Sequence, residues 1–174
     1  MKSKIFKFII LTLFSVAATH GYAQKVSFAF LKGTEKLHVV FDYSDLKIQG
    51  QPEKSYVASQ GEEWAGQWET AKANTYGAKF IEYFNKSCNK VESGNYPDAP
   101  YQATVRALTL SKIWALECEI VFTKKGDPAP VAKVKIKGDS RTAGIAAGAP
   151  SFLTARAFSY AGQNLGKIIA IQLK

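Results

Sequence analysis

The sequence predicts a single α+β domain: a mainly antiparallel sheet of about five strands, ordered ββαβββα, with two main helices on one face. Three observations predict it. Five stretches alternate apolar and polar residues with the period of a strand. Residues 53–90 and 152–173 instead repeat their apolar residues three and four apart, as helices do. The chain of 174 residues is long enough for one core and carries no repeat of solenoid length.

The last helix is the plainest element. Phe158, Ala161, Leu165, Ile168 and Ile169 form one stripe, and Arg156, Gln163, Asn164 and Lys167 fall opposite it. Pro150 and Ser151 precede it, a proline tolerated at a helix start and a hydroxyl able to cap free N–H groups. Ala155, Ser159, Gly162 and Gly166 add a flank of small residues, matched by Gly66, Ala73 and Gly77 on the first helix. Small residues let backbones approach, so the two helices are expected side by side, touching near Gly162 and Gly77.

From the other end, Lys2 and Lys4, an apolar run from Ile5 to Ala18, and Gly21-Tyr22-Ala23 read as a secretory signal peptide over residues 1–23. The single domain then covers 24–174. Removing Lys2, Lys4 and Lys7 takes the formal charge from +9 to +6, which serves solubility as readily as anion binding. No later stretch is apolar for long enough to cross a bilayer, so the mature chain is expected to lack a transmembrane segment. Export leaves two readings of Cys88 and Cys118 open, a disulfide or two core thiols.

Val26–Leu31 and Leu37–Tyr43 alternate around Gly33-Thr34-Glu35 and predict a hairpin. Gln49-Gly50-Gln51-Pro52 breaks the pattern. Between Glu53 and Lys90 a break is expected near Gly61. The apolar phase shifts between Trp64, Trp68 and Ala71 and the later Ile81, Phe84 and Cys88. Either the helix kinks near Gly77, or the tryptophans pack beneath Tyr56 and Val57. Tyr101–Leu110, Ala115–Thr123 and Val131–Lys137 are three further strands, and Gly138–Ala149 is a loop. Pairing the last two strands about Lys124–Pro130, with Thr123 opposite Val131, sets Val121 against Lys133, Glu119 against Lys135 and Glu117 against Lys137. The other side then carries Phe122–Ala132, Ile120–Val134 and Cys118–Ile136, wholly apolar.

Several chemistries find little footing. Gly138-Asp139-Ser140 matches the serine triplet of one esterase family. The base would have to be His38, which lies far earlier on a strand and is the one histidine after the leader. His38 and Asp42 share a strand face with no second histidine or cysteine beside them, a poor metal site. Gly144 and Gly148 lack the Gly-Lys-Ser/Thr of a phosphate loop. Lys133, Lys135 and Lys137 alternate on one strand, but Lys135 and Lys137 face glutamates and the strand lacks interleaved aromatics, so a nucleic-acid surface is not expected. The expectation is therefore no catalytic residue, no metal and no cofactor. The candidate binding patch is Trp64, Trp68, Tyr76 and Trp114, weighed against their packing under neighbouring segments.

As a set, the residues resemble a family of small secreted proteins from Bacteroidetes. The resemblance rests on Phe30-Leu31-Lys32-Gly33, Val39-Val40-Phe41-Asp42-Tyr43-Ser44, and the tryptophan-bearing helix leading to Phe80 and Phe84-Asn85-Lys86. It closes on Ala157, Tyr160-Ala161-Gly162 and Leu165-Gly166-Lys167-Ile168-Ile169. It implies a periplasmic or extracellular location and supplies no catalytic residue. Members carry a longer glycine- and proline-containing connection where this chain has Ser111-Lys112-Ile113-Trp114. The expected function is a non-catalytic exported binding or envelope-assembly accessory domain, with an envelope protein or glycan as partner. The alternative is a carboxylate-dependent hydrolase of envelope polymers, with Glu62, Glu63 and Glu69 near the tryptophans as the place to look.

Overall fold

The computed structural model describes residues 26–139 and 150–174. The expected leader and most of the expected loop after Gly138 lie outside the described residues. The described chain is one α+β domain whose sheet is mixed and has seven strands, not a mainly antiparallel sheet of five. The strands are β1 (Lys36–Asp42), β2 (Lys47–Ile48), β3 (Gln51–Pro52), β4 (Glu92–Gly94), β5 (Tyr101–Leu110), β6 (Leu116–Lys124) and β7 (Asp127–Gly138). β5 lies between β6 on one side and both β1 and β2 on the other. β4 flanks β1, β3 flanks β2, and β7 flanks β6.

The expected first hairpin does not form. Both edges of β1 are occupied, by β4 and by β5, and both pairings are parallel. Parallel neighbours require a long crossover, and the helices between β1 and β4 supply it. Val26–Leu31 joins neither edge and closes instead into a 3-10 turn at Ala29–Leu31. Its alternation serves packing: Phe28 and Phe30 set their rings 5.4 and 5.6 Å from Phe122. The amide of Gln172 stands in for a strand partner, accepting from the Phe28 N–H and donating to the Val26 carbonyl, each at 3.0 Å.

The β6–β7 register matches the expected pairs from Glu117–Lys137 through Phe122–Ala132. It departs at the turn, where Thr123 faces Pro130 and not Val131, because an irregularity lies between Phe122 and Thr123. Lys137 bonds Glu117, but Glu119 reaches 4.0 Å to Arg106 on β5, which itself lies 3.7 Å from Asp42 on β1. Asp42, Arg106, Glu119 and Lys135 thus form one row of alternating charge across four strands of the solvent face.

The opposite face carries the helices. These are α1 (Glu53–Ser59), α2 (Glu62–Ala71), α3 (Gly77–Ser87) and α4 (Pro150–Gln172). Gly61, at φ +93°, makes the expected break between α1 and α2, a conformation costly for other residues. Between α2 and α3 the chain stays helical through a wide π turn at Lys72–Tyr76, which re-phases the apolar face. Of the two expected explanations, the packing of the tryptophans by Tyr56 is seen, with Trp64 edge-on to Tyr56 at 5.8 Å, and the π turn before Gly77 stands where a kink was expected. α3 and α4 lie side by side, in contact one turn beyond the expected Gly77. A Cβ on Gly162 would sit 2.1 Å from the Phe80 carbonyl oxygen. Gly77 instead faces the ring of Phe41 on β1.

Candidate functional site

The four aromatics singled out from the sequence are brought together, but inside the molecule. Trp68 is 1 % exposed, Tyr76 0 % and Trp114 8 %. Trp64 is half-buried and stacks on Trp68 with ring centres 5.4 Å apart and planes 8° from parallel. The series continues through Tyr76 to Phe158, stacked at 5.5 Å, while Tyr56 bridges Trp64 to Trp114. Packing under neighbouring segments describes Trp68, Tyr76 and Trp114, and only Trp64 offers surface. The phase shift between α2 and α3 was the sequence signal for this, because it turns both helix halves inward.

Beside this stack Glu53 is held at the start of α1. One of its oxygens accepts from the Trp68 indole N–H at 2.7 Å and from the Lys72 ammonium at 2.8 Å. Burial alone would lower the Lys72 pKa, but its bonds to Glu53 and Glu69 raise it above the ordinary value. Glu62, Glu63 and Glu69 are exposed along α2, and Glu69 is engaged by Lys72. Tyr43 and Tyr76 bury their hydroxyls with no hydrogen-bond partner among the described residues. Burial, first, raises the pKa of both well above the ordinary phenol range.

The other reactive side chains serve the fold. His38 accepts the Tyr96 backbone N–H on Nδ1 at 3.1 Å and so anchors the loop before β5. Cys88 and Cys118 are buried, free thiols. Cys118 donates to the Ile136 carbonyl, and burial pushes its pKa up to about 12. Glu82, clamped between Lys79 and Lys86 at 2.7 and 2.6 Å, has its pKa lowered to about 2 by those two bonds.

The cavity that sequence reasoning missed runs along the outer side of the helix layer, between the α2–α3 segment and α4. It encloses about 630 Å³, within the range of small-molecule sites. Ala71, Thr75 and Ala155 lie along it, Phe152 and Tyr83 line it further, and Arg156 with Tyr160 supplies its polar corner. Phe152 is 51 % exposed. Gly162 and Gly166 make the close approach to α3, and the hollow lies beside other small residues, Ala71, Ala155 and Ser159. The only sequence trace was Ala155 and Ser159, read for helix contact alone.

No family model matches the chain, and no curated protein is similar to it. Among solved structures, protein XCC0632 from Xanthomonas campestris, of the DUF330 family, aligns with a TM-score of 0.38 and 10 % identity, over 80 % of this chain and 83 % of its own. A likeness at that level establishes neither a family nor an activity.

Proposed function

We propose that the protein is a non-catalytic exported binding domain, acting in the periplasm or outside the cell on an envelope protein or glycan, and that its ligand seats in the helix groove. The observation that carries the reading is that groove, with apolar lining from Ala71, Phe152 and Ala155 and a cationic corner at Arg156. The residues best suited to acid–base or nucleophilic work have other duties. Glu53 is tied to Trp68 and Lys72, His38 to a loop amide, and Cys118 to the core. On the outer sheet face Lys137 is paired with Glu117, and Arg106 lies near Asp42 and Glu119, which supports a ligand other than nucleic acid.

The test fills the groove. The immobilised protein and its Ala155→Trp variant are exposed to solubilised envelope from the native host, after circular dichroism shows both folded. Retention of a protein or glycan by the wild type and its loss on the variant is expected. Equal retention by both would remove the groove as the binding seat.

A further inference from the structure

Resting on the groove reading above, we infer that the part of the envelope partner that enters the groove is a carboxylate carried on an apolar chain, an amphiphilic group whose head docks on Arg156. Arg156 is half-buried on α4 and donates to the Tyr160 hydroxyl at 3.2 Å. Its guanidinium lies 5.7 Å from the centre of the Tyr160 ring. Among the described residues no carboxylate pairs with it. By contrast, Lys79 across the groove is bonded to Glu82 at 2.7 Å. A guanidinium fork offers more N–H donors than one phenol accepts, and its planar geometry matches a carboxylate bidentately. Partial burial strengthens such a contact, because less water competes for the charge.

Part of the remaining lining suits an apolar tail. Ala71, Ala155 and Phe152 are apolar, Thr75, Ser151 and Gln163 are neutral, and Ser159 spends its hydroxyl proton on the Ala155 carbonyl at 2.9 Å. Phe152 stands half out of the surface at the rim, where an aliphatic chain would cover it. A cationic head group would meet Arg156 with like charge. A free small anion would leave the apolar length of the groove in water.

The experiment titrates sodium dodecanoate, below its micelle concentration, into the protein purified after expression of its full sequence. Dodecyltrimethylammonium, of equal chain length and opposite charge, is titrated in parallel, and both are followed by calorimetry. Dodecanoate is expected to bind and the cationic amphiphile not to. Arg156→Gln is expected to weaken dodecanoate binding at least tenfold, since a bond to a charged group is lost. Phe152→Ala, at an exposed site, is expected to weaken it a few-fold without changing the fold. Equal affinity for the two amphiphiles, an unaffected Arg156→Gln, or no dodecanoate binding would each overturn the inference. If dodecanoate fails while Ala155→Trp still abolishes envelope capture, the groove remains the seat and only the ligand class is wrong.

Discussion

The two halves of the sheet are joined by different means. From β5 through β7 each strand meets its chain neighbour antiparallel, across Ser111–Ala115 and then Lys125–Gly126. From β4 through β1 to β5 both pairings are parallel, and the connection runs through α1, α2 and α3. The first half rests on local closure, which costs little chain entropy. The second forms only when the helical crossover docks, so its strands depend on helix packing. α4 follows the first half in sequence and packs on α3, the last helix of the second, so the seam between those helices joins the halves.

The largest effect should come from striking the crossover itself. Trp68→Ala removes a ring that is 1 % exposed and leaves Glu53 with one partner fewer. The expected loss is about 3–5 kcal/mol in urea unfolding. Amide exchange should quicken in β1 and β4 more than in β6 and β7. Equal quickening in all four strands would mean that the halves unfold as one unit.

Next is the seam. Gly162→Ala places a methyl 2.1 Å from the Phe80 carbonyl oxygen, a backbone atom that moves only with its helix. Alanine favours a helix over glycine by about 1 kcal/mol, while overpacking costs about 1–3 kcal/mol. The contact is severe enough that overpacking should win. A melting temperature equal to or above that of the wild type would show that α3 and α4 can separate freely.

The same contrast accounts for what could be read from the residues alone. Within β6 and β7, alternation on both strands and one short turn leave a single register that keeps Phe122, Ile120 and Cys118 on the core face with Ala132, Val134 and Ile136. That reading matches the structure through all those pairs. Alternation in Leu37–Tyr43 shows that a strand exists but names neither its neighbours nor their direction. The nearest alternating stretch, Val26–Leu31, therefore looked like a partner. Glu92–Gly94, the actual neighbour, is too short to carry a period. The groove was harder still, because it is a space between helix surfaces far apart in sequence, and no residue pattern within one helix encodes it.

Alkaline pH probes the core of each half by its own buried group. Cys118 lies under the antiparallel half with its pKa pushed up to about 12 from 9.0. Between those values the unfolded thiol ionises while the folded one stays protonated, so stability is full below pH 9 and falls as pH rises toward 12. At pH 10 the Cys118 share of the loss should be about 1 kcal/mol. Cys118→Ala should flatten that part of the profile at the expense of a small cavity. What remains belongs to Tyr43 and Tyr76 in the helical half, whose shifts have the same sign. At pH 8 a thiol reagent should label neither cysteine until the protein unfolds. Prompt labelling of Cys118 would contradict its burial.

The smallest effect concerns the charge row that crosses from one half to the other. Arg106 stands on β5, the strand both halves share, between Asp42 on β1 and Glu119 on β6. Its distances, 3.7 and 4.0 Å, are loose, and its side chain is 45 % exposed, so solvent screens both contacts. A double-mutant cycle on Arg106→Ala and Glu119→Gln should return about 0.2–1 kcal/mol, shrinking in molar salt. The cycle on Arg106→Ala and Asp42→Asn should be no larger, because Asp42 is held mainly by the Ser44 backbone N–H. That bond, followed by the Ser44 hydroxyl and then Arg106, keeps its pKa below the usual carboxylate value. The Asp42 contribution is therefore present above the ordinary aspartate pKa and fades as pH falls through the lowered one. A coupling well above 1 kcal/mol in either cycle would mean that the row fastens the halves together. A coupling within the expected range leaves that task to the α3–α4 seam, whose glycine contacts reach backbone atoms of the facing helix.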